Sequence, residues 1–241
     1  MYRYETHLHT LPVSKCAKAS VKENLLTYKR LGFDGVFITN HFIDGNISSE
    51  LNHVGLGLTM TATDEEYREL VNFYFADYEE ALSLSEEIGI KVFAGVEISY
   101  KGTDFLIYGL DKQWYLSHPE IMNMTKRQEL EFMRSEGAFV VHAHPFREAR
   151  YIDHIRLFPR SVEAVEVINA CRTPEENRLA NQYADNYGLL KTAGTDNHVA
   201  GARHLFAGIE TEMPINAPED YIALVRAGKA RIFTIDTDQS E

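Results

Sequence analysis

The sequence predicts an α/β protein built on a parallel sheet or barrel, and three observations carry that expectation. Strand-like and helix-like segments alternate along nearly the whole chain, with no linker, repeat or low-complexity stretch between them. The helical segments open on recurring N-terminal capping signals. Metal-binding residue types stand at the C-terminal ends of the strand-like segments, which form a single rim in a parallel barrel.

The elements follow in order. "YETHLHT" (4–10) ends a first strand, where alternate side chains share a face, so His7 and His9 converge. Ser20 and Glu23 have capping-box spacing and open a helix that Gly32 ends, before the apolar strand "GVFI" (35–38). Residues 42–63 lack periodicity and read as a long loop over one rim, a lid or substrate wall. Thr63 and Glu66 open a long helix that stops at Gly89. "KVFAGVEI" (91–98) and "DFLIYGL" (104–110) are strands. Thr125 with Gln128 opens a helix ending at Gly137, and "AFVVHAH" (138–144) follows as a strand. After "AVEVI" (164–168), Thr173, Pro174 and Glu176 open a helix closing at Gly188, and "LKTAG" (190–194) is a short strand. "GIET" and "ARIFTI" add strand-like pieces around a helix near 218–227.

The chain of 241 residues suits one domain spanning 1–241, and 44% hydrophobic with 25% charged residues is ordinary for a folded, water-soluble protein. A net charge of −12 gives no electrostatic help toward long nucleic acid or an anionic membrane. A small anionic substrate is compatible with it if the site carries local positive charge, such as metal ions. Two cysteines, Cys16 and Cys171, make no disulfide framework and suit a reducing compartment. No apolar signal segment or membrane span is visible, so the expected location is cytoplasmic. Oligomeric state leaves no trace in the sequence.

The strand ends carry His7 and His9, His41, Glu97, His144, and Asp196 with His198. Imidazole nitrogen and carboxylate oxygen suit zinc, manganese and iron, while the scarcity of thiolates argues against a closed structural zinc site. Seven candidate ligands exceed what one ion takes, so at least two ions are expected. Glu97 is the natural bridge, with Asp196 the alternative.

The set "ETHLHT", "LGFDGVFITNHF", "AGVEIS", "HAHPFR" and "TAGTDNH" resembles the polymerase and histidinol phosphatase (PHP) superfamily from residue 5 to about 205. The resemblance implies a distorted (β/α)7 TIM-like barrel, a centre of two or three divalent ions (Zn, Mn or Fe), and hydrolysis of phosphate esters. It puts the motif histidines on His7, His9, His41, His144 and His198, and the motif acids on Glu97 and Asp196. Three departures stand out. Neutral Asn40 occupies a place that is acidic in the common motif. Asp104 stands where many members carry a histidine ligand, and a carboxylate can substitute there. Lys15 and Cys16 occupy the stretch where the family has a further Asp or His ligand; Cys16 offers a soft sulfur and Lys15 a phosphate contact. The expectation is therefore two tightly held ions and a weaker third site near His41 and His198.

Two ions together lower the pKa of a bound water and neutralise phosphoryl oxygens. Glu97, Asp196 and His198 are the candidate catalytic residues, Asp196 as ligand or proton acceptor and His198 as ligand or proton donor. Arg147, Arg172 and Arg203 follow three of the motifs and, with Lys15, are candidates for the substrate phosphate, because the guanidinium fork matches phosphate oxygens. Asn169 and His142 are weaker candidates, His142 as a residue lining the barrel beneath the metals. His53, His118, His154 and His204 fall outside the pattern. The function expected is hydrolysis of a small phosphorylated metabolite by a metal-activated hydroxide; histidinol phosphate and nucleotides are candidates. The alternatives are an amidohydrolase-like enzyme cutting a C–N or C–O bond, and a non-catalytic metal-stabilised accessory domain.

Overall fold

The computed structural model describes residues 1–42 and 63–239, so most of the expected 42–63 loop, with His53, lies outside the described residues. Four helices start where the paired capping residues stand. Ser20, Thr63, Thr125 and Thr173 each accept the backbone N–H three residues on, and Glu23, Glu66, Gln128 and Glu176 accept the cap's own N–H in return. These begin α1 (Val21–Arg30), α2 (Asp64–Ile88), α4 (Lys126–Ser135) and α5 (Pro174–Tyr187). A short α3 (Lys112–Ser117), capped by Asp111 and missed in the sequence, precedes α4, and α6 (Pro218–Arg226) comes last.

The strands are β1 (Tyr2–Leu8), β2 (Gly35–Ile38), β3 (Lys91–Tyr100), β4 (Thr103–Tyr108), β5 (Phe139–Ala143), β6 (Ala164–Asn169), β7 (Leu190–Gly194), β8 (Leu205–Thr211) and β9 (Ala230–Asp236). Their hydrogen-bonded order is β7-β6-β5-β4-β3-β2-β1-β8-β9, two five-stranded segments that share β3. The sheet departs from the all-parallel pattern. β1, β2 and β3 pair in parallel, as do β5, β6 and β7, but β4 runs against both its neighbours and β8 against β1 and β9. The reason at β4 is local. A parallel crossover needs a dozen or more residues. Between Tyr100 and Thr103 there are only Lys101 and Gly102, both at positive φ (51° and 80°), a tight hairpin turn.

The hydrogen-bonded ladders do not close among the described residues, so the α/β fold is shown without the TIM-like closure that the resemblance implies, and the sheet curls so that β7 comes against β1, β8 and β9. The edge strand β7 and the segment after it are tied to β1. Thr6 Oγ1 donates to the Ala193 carbonyl (2.7 Å), Asp196 N to His7 O (2.8 Å) and His9 N to Asn197 O (3.0 Å). Gly194 permits this approach: a Cβ there would stand 2.5 Å from the Cβ of His7.

Inside the curl lies an aromatic core of Tyr4, Phe37, Phe93, Tyr108 and Phe139, and α6 inserts Tyr221 into it. Tyr108 donates its hydroxyl across the interior to Thr6 O (2.7 Å). Separate apolar layers seat α1, α2, α4 and α5 on the outer face. Because β4 is reversed, its first residues share an end with the last residues of β3 and β5. No described helix is long and apolar enough to cross a membrane.

Candidate metal centre

At the mouth formed by these strand ends, His7, His9, Glu97, His144 and Asp196 are all buried and meet one another. Glu97 is the hub. Its Oε1 lies 3.3 Å from His7 Nε2 and 3.4 Å from His144 Nε2, and its Oε2 lies 3.2 Å from His9 Nε2 and 2.9 Å from His41 Nδ1. Asp196 Oδ1 lies 3.6 Å from His7 Nε2 and 3.3 Å from His9 Nε2. His144 and Asp196 both sit at positive φ (26° and 59°), a strained conformation for side-chain-bearing residues that the surrounding bonds must hold.

The second nitrogens of these rings are held from outside. His7 Nδ1 meets Glu166 Oε1 (2.9 Å), His9 Nδ1 meets Ser14 Oγ (3.0 Å), and His198 Nδ1 meets the Asp196 carbonyl (2.8 Å). In the neutral rings such contacts put the proton on Nδ1 and turn the Nε2 lone pairs of His7 and His9, only 3.2 Å apart, toward one point.

This arrangement fits cations. Donors at zinc-ligand distance and tetrahedral angles stand about 3.4 Å apart, and the separations above cluster near that value. Both Glu97 oxygens are buried and face only imidazole nitrogens, with no backbone N–H or hydroxyl donor on either, a costly state for a carboxylate unless positive charge supplies the compensation. Three sets have one ligand atom each within 4.8 Å of the others: His7, Glu97 and His144; His7, His9 and Asp196; and His9, Cys16, His41 and His198.

In the protein without ions, burial disfavours the charged His7 ring, but the carboxylates of Glu166, Asp196 and Glu97 outweigh it and hold the imidazole well above its usual value. His41 is likewise raised against burial, chiefly by Glu97, and His9 is raised by hydrogen bonds with Asp196 and Glu97 despite burial and the neighbouring His41. Burial pushes Glu97 and Asp196 up, yet His41 and His7 respectively lead the interactions that hold them well below the carboxylate range. Burial raises the Cys16 thiol, and hydrogen bonds with His198 and His41 more than reverse this, to about 5.

The remaining sequence candidates are distributed as follows. Asp104 lies beside the centre, 3.8 Å from His144 Nε2, and is engaged by Arg147 Nη2 at 2.8 Å. Arg147 also donates to Gly102 O. Arg172 Nη2 is 4.0 Å from Asp196 Oδ2, and Arg203 contacts the Cys171 sulfur. Lys15 is exposed. Asn169 donates to Glu166 and Asp196. Asn40 finds its acid elsewhere: its amide donates to Asp77 Oδ2 of α2 (3.0 Å) and its carbonyl accepts Thr10 N. His118 stacks on Trp114, and His154 and His204 are exposed.

His142 corrects an expectation. It does not line the interior but is fully buried on the helix-facing side, stacked on Phe105 and edge-on to Tyr183. The left-handed backbone of His144 breaks the alternation that would put the two rings on one face. Burial, with a contribution from His144, lowers His142 to about 3, so it is neutral.

Sequence reasoning missed the supports. Glu166 holds His7 through Oε1, and its Oε2 accepts the backbone N–H of His144 (3.1 Å). Glu5 accepts the N–H groups of His7 and Thr195 and the Tyr28 hydroxyl. The available signal was an acid inside an otherwise apolar strand, as in "AVEVI". Glu166→Gln keeps the shape and weakens the grip on His7. We expect metal affinity to fall about 10- to 100-fold with the fold intact, read by titration calorimetry; an unchanged affinity removes Glu166 from this role.

Fold and site together define an α/β protein with a candidate metal centre at its strand ends. A family model described as PHP-associated matches residues 174–202, the segment from α5 to Asp196 and His198, and the chain resembles the PHP superfamily there as in its motifs. Over 145 residues it is 28% identical to an uncharacterized protein of Methanocaldococcus jannaschii, a match covering 55% of this chain and 59% of that one. Among solved structures, a two-domain protein from Bacteroides vulgatus containing a predicted PHP-like metal-dependent phosphoesterase superposes with TM-score 0.67 at 13% identity, over 96% of this chain and 64% of that one. PsfC from Pseudomonas syringae superposes with TM-score 0.63 at 19% identity, over 100% of this chain and 94% of that one. The chain thus spans less than two thirds of the first two of these relatives.

Proposed function

We propose that this chain is a metal-dependent phosphoesterase that hydrolyses a small phosphomonoester at a centre of two or three divalent ions. The observation that carries the reading is Glu97, whose two oxygens each face their own imidazole pair, so that one buried carboxylate spans two cation positions. The Bacteroides vulgatus neighbour, which contains a predicted PHP-like metal-dependent phosphoesterase, supports the same class. Glu97 Oε1, His7 and His144 would hold one ion with Asp104 beside it, Glu97 Oε2, His9 and Asp196 a second, and His41, which also borders Glu97 Oε2, belongs with His198 to a third position. Such ions supply Lewis acidity and a water acidified toward neutrality.

The chain's own groups do the rest. Arg172 and Arg147 set guanidinium charge against the acids that rim the mouth, and the Nε atoms of Arg147, Arg172 and Arg203 are buried without an acceptor. They offer an arriving phosphate fixed donors inside a chain that is otherwise acidic. Asp196 can hold a proton taken from the attacking water. His198, whose Nδ1 is tied to the Asp196 carbonyl, stands where it can ligate or donate toward the leaving oxygen.

The test is phosphate release from a panel of phosphomonoesters with manganese, zinc or iron. Release in one metal's presence and its loss on chelation are expected; no release with any metal defeats the proposal. Arg172→Ala should raise KM about tenfold or more with a smaller change in kcat, measured on whichever ester is turned over. Hydrolysis of amide substrates without phosphate release would favour the amidohydrolase-like alternative.

A further inference from the structure

We propose that Cys16 is a metal ligand, and that with His41 and His198 it makes the outer position of the centre a thiolate-bearing, zinc-selective site unlike the nitrogen–oxygen positions beneath it. The inference rests on reading the mouth as a metal centre and adds what this chain's cysteine does there.

The sulfur and one nitrogen each of His9, His41 and His198 lie within 4.8 Å of one another. His9 Nε2 stands between two acids of the inner position, 3.2 Å from Glu97 Oε2 and 3.3 Å from Asp196 Oδ1, and is assigned there, whereas His41, with its Nδ1 2.9 Å from Glu97 Oε2, borders both positions. That leaves Cys16, His41 and His198, three protein ligands and an open fourth place, the pattern of a zinc ion that also meets substrate or water.

The loop is not free to carry Cys16 elsewhere. Two residues before it, Ser14 Oγ contacts His9 Nδ1 (3.0 Å) and accepts the backbone N–H of His41 (3.0 Å). Two residues after it, Lys18 N donates to the carbonyl of His198 (2.7 Å). Ala17 N closes a turn onto Ser14 O (2.9 Å). Cys16 is therefore pinned between segments that carry its co-ligands. Its residue is exposed while His41 and His198 are half-buried, so the position lies at the solvent side of the mouth. Thiolate sulfur favours zinc and other soft ions over manganese, whereas the carboxylate-bearing inner positions do not discriminate that way.

The test loads chelator-stripped protein with Co2+ as a spectroscopic stand-in. The wild type should show an intense near-ultraviolet sulfur-to-cobalt charge-transfer band. Cys16→Ser should lose it together with one equivalent of bound metal, and Cys171→Ser should keep it. Should Cys16→Ser fail to fold, the wild type alone decides: saturating Zn2+ should slow iodoacetamide labelling of Cys16 about tenfold or more, and Mn2+ should not. Full cobalt loading without the band, or a band that survives in Cys16→Ser, overturns the thiolate ligand while leaving the phosphoesterase reading standing. A normal band with no phosphate release from any ester does the reverse. Failure to bind metal at all sinks both.

Discussion

Glu97→Gln abolishes turnover: kcat is expected to drop on the order of 10³-fold or more, with loss of at least one bound ion. The amide matches the carboxylate in size, so the fold should survive, and circular dichroism should be unchanged. What is removed is the one negative charge surrounded by His7, His9, His41 and His144 at 2.9–3.4 Å. Half of the replacement side chain is an NH2 group that repels a cation, so one of the two positions facing Glu97 loses its anionic ligand outright. Elemental analysis of the purified variant, alongside phosphate release with the best metal, is the measurement. A variant that keeps its full metal complement and its activity would falsify the bridging role.

The second large effect is a reversal of the pH dependence of stability when the metals are stripped. His7, His9 and His41 have raised values in the folded protein without ions. Their stabilisation is complete below the unfolded histidine value of about 6.5 and is lost as pH climbs through the raised folded values. Glu97 and Asp196 have depressed values, so their contribution is present above the unfolded value of about 4 and is lost as pH falls through the depressed ones. The chelated protein should therefore be most stable between about pH 4 and about 6.5, as far as this cluster decides, and decline above that. Bound metal demands the opposite protonation, neutral imidazole and ionised carboxylate, so its stabilisation grows as pH rises. Thermal melts from about pH 5.5 to about 8.5, with and without chelator, should give Tm curves that diverge upward in pH. Curves that stay parallel would mean that the cluster does not exchange protons for metal.

The supports explain why so many charged groups tolerate burial at one place. Glu166 and Glu5 are each within hydrogen-bond reach of a ligand or of the backbone that carries it, and Asp77 accepts from the side chains of Thr10 and Asn40, the chain neighbours of His9 and His41. The Asp104–Arg147 pair is the clearest departure from the resemblance. Where many PHP members have a histidine, this chain has an acid already neutralised by a guanidinium. That pair competes with the role of Asp104 as a ligand and fixes an arginine at the mouth.

Much of this was legible from residues alone. The capping boxes at Ser20, Thr63, Thr125 and Thr173 started helices where they stand, and "GVFI" and "LKTAG" matched β2 and β7 to the residue. Such signals depend on contacts within a few residues, so a sequence states them directly. The same holds for the histidines and acids at strand ends, because strand direction alone brings those ends to one side. The reversal of β4 was also local, in the Lys101–Gly102 turn, whereas the face of His142, the acids that orient the ligand rings, and the pinning of Cys16 between His41 and His198 were decided by tertiary structure. Each depends on a left-handed residue that resets the local alternation, or on distant partners, as in the Thr6–Ala193 bond, 187 residues apart, that draws β1 against β7. No local pattern encodes which distant backbone a loop will be tied to; only closing the curl of the sheet fixes it.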